Sequence, residues 1–364
     1  MPSKRANKSL PGPRSRSPHA IDSKSTSKQL SFSSKKRVSQ GKQYRAELAS
    51  ETLQILERGS YEYKSLSGES IHVELKDLID NCIHGTTLYP QNLKIVTSRE
   101  ATHSTPNTAT RNIYVSPYNT LETARNIVQR LQDEKKNEEV LLLNFASAKN
   151  PGGGFIRGSL AQEECLALCS GLYASLTSKT ASPYYEMNKS KQTGNNFYSS
   201  CLIYSPSVPI FRGSHAPTTI QSQGMDLGSG FLDSDAETSI HLSQPWRAAI
   251  ITCPAVNMNI ALKDMRNERQ ARSKATQEMK SRIFRVLEVA QHHGHVHLVL
   301  GAWGCGVFKQ NPQEIAGLFN VVLALPRFAN YFETIAFAIL PGPNLTHFQN
   351  VFGGTSAKTT RDSI

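Results

Sequence analysis

The residues best suited to chemistry lie in one short segment: three consecutive glycines, Gly152, Gly153 and Gly154, a seven-residue spacer, then Gln162, Glu163 and Glu164. A backbone without β-carbons can approach a ligand closely and turn its N–H groups inward, as loops do around phosphate oxygens. Ser159 and Gln162 have the spacing of a capping box, which predicts a helix start at Ser159 with both carboxylates near the first turn. On an ordinary helix such acids would only complement the macrodipole. Directly after a triple glycine, that reading weakens. Adjacent helix positions diverge by about 100°, so Glu163 and Glu164 cannot face one bond and are expected to have different jobs. A second segment carries Gly301, Gly304, Cys305, Gly306, Val307 and Phe308 before Asn311, Pro312 and Glu314, where cap, first-position proline and acid mark another helix start. Two glycine loops of this kind suit a diphosphate. Neither has the Gly-x-Gly-x-x-Gly spacing of a dinucleotide fingerprint, so a nicotinamide-dependent dehydrogenase is not supported.

The elements that must hold these loops follow from periodicity. Residues 44–58 suit a helix leading into the body, and apolar runs of strand length occupy 140–145, 201–204, 208–211, 248–252, 296–300 and 334–340. Helical stripes cover 161–176, 265–290 and 312–325. Both glycine loops therefore follow a strand and precede a helix. The alternation predicts an α/β fold, layered around one sheet. Residues 213–244, polar and rich in Gly, Ser, Thr and Asp, read as a surface insertion.

The chain has 364 residues, 41 Lys plus Arg, 29 Asp plus Glu and a formal net charge of +12. The charge is not evenly spread. Residues 1–45 hold twelve bases against the single acid Asp22, leaving 29 bases and 28 acids elsewhere. A balanced body disfavours a basic nucleic-acid groove and sequence-specific DNA binding. Residues 1–42 are rich in Ser, Lys and Pro, which predicts a disordered basic tail. Its Lys35-Lys36-Arg37 cluster could serve nuclear import or a weak nucleic-acid contact, and a mitochondrial transit peptide is the minor alternative. No apolar run spans a membrane and no secretory signal core is present, so a soluble intracellular protein of nucleus or cytoplasm is expected, with reduced cysteines.

The triple glycine, the spacer and the Gln-Glu-Glu run, together with residues 144–155 (NFASAKNPGGGF), 205–211 (SPSVPIF), 253–257 (CPAVN) and 301–308 (GAWGCGVF), resemble the microbial type of poly(ADP-ribose) glycohydrolases. The resemblance covers roughly residues 43–352 and implies a three-layer α/β/α macrodomain with a mixed central sheet, followed by a flexible C-terminus at 353–364. It implies cleavage of ribose–ribose bonds in poly(ADP-ribose), with Glu164 catalytic and Glu163 holding ribose hydroxyls. Gly152–Gly154, Asn150, Gln162 and the second loop would contact substrate, with Phe308 against the distal ribose. No metal or other cofactor is implied. The partners would be poly(ADP-ribose) and ADP-ribosylated proteins, met by a monomer. Proton donation to a leaving 2′-oxygen and activation of water by one carboxyl in turn fit an oxocarbenium-like transition state. The alternatives are a mono-ADP-ribosyl-protein hydrolase, a non-catalytic ADP-ribose reader, and nucleic-acid association through the tail alone. The insertion at 213–244 departs from the family and bears on substrate access.

Other signals read as structure. His292, His293, His295 and His297 lack nearby carboxylates or cysteines and suit a helix end and strand better than a metal site. Cys165 and Cys169 fall on an apolar stripe, Cys305 suits tight packing, and Trp303 is divided between ligand and core.

Overall fold

The computed structural model describes residues 23–65, 67–95, 111–190, 197–213, 241–264 and 267–353, with side chains from Gln40 onward. Residues 1–22 of the predicted tail, 214–240 of the predicted insertion and 354–364 of the predicted C-terminus lie outside the described residues. Two units divide the chain at Gln40. In the first, the backbone is helical from Ser23; this is the start of α1 (Ser23–Arg58), within the stretch whose composition suggests a disordered tail.

The second unit carries the remaining elements. A hairpin, β1 (Ser60–Lys64) and β2 (Ser70–Glu74), precedes α2 (Lys76–Gly85), β3 (Thr87–Tyr89), β4 (Asn112–Ser116), α3 (Thr120–Asp133) and β5 (Leu141–Phe145). Then come α4 (Gln162–Cys169), α5 (Leu172–Leu176), α6 (Ser182–Lys189), β6 (Leu202–Arg212) and β7 (His241–Cys253). The chain continues through α7 (Met258–Asp264), α8 (Glu268–His292), β8 (His297–Leu300), α9 (Pro312–Leu323), β9 (Thr334–Ala338) and α10 (Pro343–Phe352). Seven strands form one mixed sheet in the order β3-β6-β7-β5-β8-β9-β4, parallel from β7 through β4 and antiparallel at β6 and β3.

Alternation along β5 builds the two cores. Leu141 and Leu143 face a cluster with Met279, Ile283, Val286 and Phe319, while Val140 and Leu142 face one with Leu48, Leu121, Leu166 and Leu168. Helices thus cover both faces, giving the expected α/β/α layers. Asn311 caps α9 as predicted, accepting from Gln313 and Glu314 N–H at 2.9 and 3.4 Å.

Local expectations needed correction in three places. The stripe at 161–176 is two helices, because Ser170 leaves the helix to bridge Ile210, and Gly171 N–H donates to Pro209 C=O at 2.9 Å. The runs at 201–204 and 208–211 are one strand, interrupted by a register shift between Ser205 and Val208 with Ser207 at φ +45°. Finally, β7 begins at His241, so residues 241–244 belong to the sheet rather than the insertion; His241 pairs with Arg212 and stacks on Tyr61 at 5.1 Å.

Candidate active site

Because β5 and β8 are parallel neighbours, the glycine loops that leave them emerge at the same sheet edge. A crevice outside the carboxyl ends of parallel strands is where open α/β sheets bind ligands. The loops touch at their roots. A β-carbon on Gly301 would lie 2.9 Å from the Phe145 ring and 2.8 Å from Ala338 C=O, so a side chain there would wedge β8 away from β5 and β9.

The first loop is shaped around the two acids. Gly152 and Gly153 both have left-handed backbones, φ +63° and +64°. A β-carbon on Gly153 would fall 2.4 Å from Glu164 Oε1 and 3.0 Å from Glu163 Oε2, so both carboxylates converge on the bare Gly153 backbone. Gly154 N–H donates to Glu164 Oε1 at 2.8 Å. Glu164 remains partly accessible, whereas Glu163 is 3% exposed. Glu163 accepts from Ser147 N–H at 2.6 Å and from Asn144 Nδ2 at 3.3 Å, and Asn144 in turn donates to Thr252 Oγ1 on β7 at 3.2 Å. Burial pushes the Glu163 carboxyl up to about 8, helped by the Glu164 charge and opposed by the N–H groups of Ser147 and Gly152 and by Asn144. The two acids differ in exposure, but their carboxylates reach the same Gly153 backbone, so the divergence of adjacent helical positions does not keep them apart as expected.

Two sequence expectations change here. Ser159 does not cap the helix; α4 starts at Gln162 with Ala161 at the cap position and no side-chain cap. Ser159 instead abuts Gly154, where a β-carbon would meet its Oγ at 2.4 Å. Gln162 turns its amide inward, accepting from Phe145 N–H at 2.8 Å and donating to Leu143 C=O at 2.8 Å and Thr120 Oγ1 at 3.3 Å. It braces α4 against the end of β5, and those bonds engage the groups that a substrate contact would need. Asn150 is exposed; its backbone carbonyl accepts from Gly153 N–H at 3.0 Å.

The second loop is stapled to the segment after β7. Met258 N–H donates to Phe308 C=O at 2.9 Å, Asn259 Nδ2 to Val307 C=O at 2.9 Å and Gln310 Nε2 to Val256 C=O at 2.7 Å. Gly304, at φ +79°, would drive a β-carbon into Ala255 at 2.7 Å and Gln310 at 2.9 Å. Its bareness therefore serves packing inside the protein, a correction to the expectation that it makes room for a phosphate. Gly306 differs, because a β-carbon there meets open space. Cys305 is partly buried, with its thiol pushed up to about 12 by burial, and Trp303 is fully buried in the core. Of the four histidines, His293 and His295 bond the Tyr89 and Tyr204 hydroxyls at 2.7 and 2.8 Å, while His297 is buried with neither ring nitrogen hydrogen-bonded.

Several residues here escaped sequence reading. Tyr198 lies with its ring 6.4 Å from Phe308 and 5.9 Å beneath Lys149 Nζ. It adopts φ +58°, and fully buried Arg282 holds the carbonyls of Phe197, Tyr198 and Pro254 at 2.6, 2.8 and 2.7 Å. Tyr118, Ile156, Leu160, Val307 and Leu340 are exposed apolar residues in the segments that follow β4, β5, β8 and β9. Only Asn144 left a trace in the sequence, as a polar residue inside an apolar strand.

A three-layer α/β/α fold with glycine loops and paired acids at the carboxyl edge of its sheet defines a macrodomain-type hydrolase scaffold. The family description "microbial-type PARG, catalytic domain" matches residues 49–213, which include the triple glycine and both acids. The poly(ADP-ribose) glycohydrolase of Thermomonospora curvata is 34% identical, over 85% of this chain and 99% of that one, with a TM-score of 0.66. Its complex with the inhibitor ADP-HPD gives 34%, the same coverage and 0.65. The Deinococcus radiodurans enzyme in complex with ADP-ribose is 34% identical over 76% of this chain and 97% of that one, at 0.58. No curated protein sequence matches. The chain belongs to the microbial-type poly(ADP-ribose) glycohydrolase family.

Proposed function

We propose that this protein hydrolyses the ribose–ribose O-glycosidic bonds of poly(ADP-ribose) and releases ADP-ribose, with Glu164 as general acid and then general base. The observation that carries the reading is the convergence of both carboxylates on Gly153, with Gly154 N–H 2.8 Å from Glu164 Oε1. A terminal ADP-ribose unit would lay its diphosphate between the two glycine loops, with Gly306 and the N–H groups of the first loop toward it and Phe308 against the distal ribose. Glu163, anchored by Ser147 and Asn144, would hold the ribose hydroxyls, and exposed Asn150 would add a contact. Glu164 would give its proton to the leaving 2′-oxygen as the anomeric bond opens toward an oxocarbenium ion. The resulting carboxylate would take a proton from the water that attacks the anomeric carbon. The substrate's own diphosphate, folded against that ribose, would help stabilise the cation.

One chain supplies all these groups, which supports a monomer; its partners would be ADP-ribosylated proteins, met in the nucleus or cytoplasm. The basic tail adds an anion contact. Purified protein incubated with defined poly(ADP-ribose), and separately with mono-ADP-ribosylated protein, should release free ADP-ribose from the polymer. Release from the mono-modified protein alone would assign a different hydrolase. Tight binding without release would make the cleft a reader.

A further inference from the structure

We propose that Asn144, backed by Thr252, is a positioning residue for the reaction: it acts through Glu163, fixing that carboxyl group against the Gly153 backbone. The inference rests on the glycohydrolase reading and deepens it.

An amide inside a buried strand is unfavourable unless its polar atoms find partners. Asn144 is fully buried in β5, between Leu143 and Phe145. Strand alternation puts it on the face of Val140 and Leu142, the face that Leu166 and Leu168 of α4 cover. There its Nδ2 donates to Glu163 Oε1 at 3.3 Å and to Thr252 Oγ1 at 3.2 Å. The Thr252 contact is the fixed one, because Asn144 and Thr252 are register partners in the parallel pair of β5 and β7 and Thr252 is also fully buried. Oδ1 of the same amide has no partner. A side chain needed only for packing would be replaced without loss by an apolar one of similar size, since that bare oxygen gives up water and gains nothing. What the amide does supply is an N–H aimed at Glu163.

Glu163 needs that group for two reasons. The first is orientation. Ser147 N–H holds Oε2 at 2.6 Å, and a carboxyl group held by one oxygen can still turn about that bond; Asn144 holds Oε1, and two donors from different segments fix its plane. The second is charge. The titratable groups that face Glu163 are Glu164 on its own helix and Tyr184 and Tyr185 on α6, all of them acids, so burial and neighbours together favour the neutral carboxyl. The N–H groups of Ser147, Gly152 and Asn144 oppose this, and Asn144 is the one side chain of the three. An apolar residue in its place should free the carboxyl to turn and to take a proton more readily. A neutral carboxyl has a donor where the charged one has an acceptor, so it would hold the ribose hydroxyls less well in line with Glu164.

The test uses the full-length chain with Asn144→Leu, with Glu163→Gln and with both, and adds Thr252→Val, which keeps the volume and leaves Asn144 in place. Hydrolysis of poly(ADP-ribose) is measured as a function of pH, with ADP-ribose affinity by calorimetry and melting temperature alongside. In the parent, kcat/KM should rise with pH through an ionisation that Glu163→Gln abolishes. In Asn144→Leu that ionisation should lie about one pH unit higher, which lowers kcat/KM about tenfold on its acid side and leaves the alkaline side much less affected. Thr252→Val should move it the same way by less. Added to Glu163→Gln, Asn144→Leu should have little further effect on kcat/KM, because its effect passes through Glu163. Losses that multiply in the double variant, or a profile lowered equally at every pH with its ionisation unmoved, would make Asn144 a packing residue and overturn the inference. So would parental kinetics in Asn144→Leu. If Asn144→Leu fails to fold, Thr252→Val carries the test, and an unmoved ionisation there overturns it. If the parent does not cleave polymer, the glycohydrolase reading fails, and the pH dependence of ADP-ribose affinity across the same variants supports or refutes the role of Asn144.

Discussion

Glu163 and Glu164 are neighbours in sequence but differ in surroundings, and their variants should separate accordingly. Glu164→Gln keeps the shape and the Gly154 contact yet can neither give a proton nor accept one. Turnover of poly(ADP-ribose) should fall by about 10²- to 10⁴-fold, with ADP-ribose affinity, read by calorimetry, retained. Glu163 is the buried partner, its carboxyl pushed up to about 8. A folded-state pKa above the unfolded one means the folded protein binds more protons, so this group's contribution is fully present below the ordinary carboxylate range. It declines as pH rises toward about 8. Glu163→Gln should flatten the dependence of melting temperature on pH across that window and, on the proposed role of Glu163 in holding the ribose, lower turnover. A wild-type pH slope in the variant would show that Glu163 is not the titrating group. Asn144 leaves its Oδ1 without a partner, and turning its amide would let that oxygen accept from a protonated Glu163.

At the scale of elements, the glycines divide by what their missing β-carbons would meet. Gly153→Ala places a methyl group on the Glu164 carboxylate in a left-handed backbone, so it should remove activity and also destabilise the loop, by about 1–2 kcal/mol from backbone strain alone. Gly304→Val should unfold or loosen the second loop through Ala255 and Gln310, and a loss of ligand binding there would report packing. Gly306→Ala is the clean probe of the proposed phosphate cradle. It meets no protein atom within 4 Å, so the melting temperature should hold while ADP-ribose affinity falls. Normal ADP-ribose binding by a folded Gly306→Ala protein would remove the second loop from the ligand site. The element boundaries near the site were legible where the cues were local: α9 carries its cap and proline at the expected positions, and both loops follow their strands. The start of α4 was misplaced because Ser159 packs on Gly154 instead of capping.

At the scale of the whole molecule, the site depends on a few buried charges that tie distant segments together. Arg282, in α8, binds Glu278 at 2.9 Å along with three carbonyls from two other segments. Arg282→Ala would leave those acceptors and Glu278 unpaired, a loss of about 3–5 kcal/mol visible in chemical denaturation. Tyr198, held by two of those carbonyls, should loosen beside Phe308, so turnover should drop even at temperatures where the variant stays folded. Arg212 plays a comparable part at the far end of β6, reaching Thr52 at 2.6 Å and Glu51 at 2.9 Å on α1.

What the sequence by itself determined was local: two glycine loops, an acid pair on adjacent helical positions, a capped helix after the second loop, and a charge confined to the first 45 residues. Such features follow from φ/ψ preference, period and composition, which any short window carries. A layered α/β fold around one sheet also followed from the alternation of apolar runs, whereas the three-layer arrangement with a mixed sheet was implied by the family resemblance. Tertiary structure alone decided that β5 and β8 are neighbours, and hence that loops some 150 residues apart open at one edge. It also decided that Gly304 is bare for Ala255, that Gln162 braces a strand, that Ser170 breaks a helix to join β6, and that Arg282 holds Tyr198 beside Phe308. These are contacts between segments far apart in the chain, set by close packing in a shared core, and no local window contains both partners.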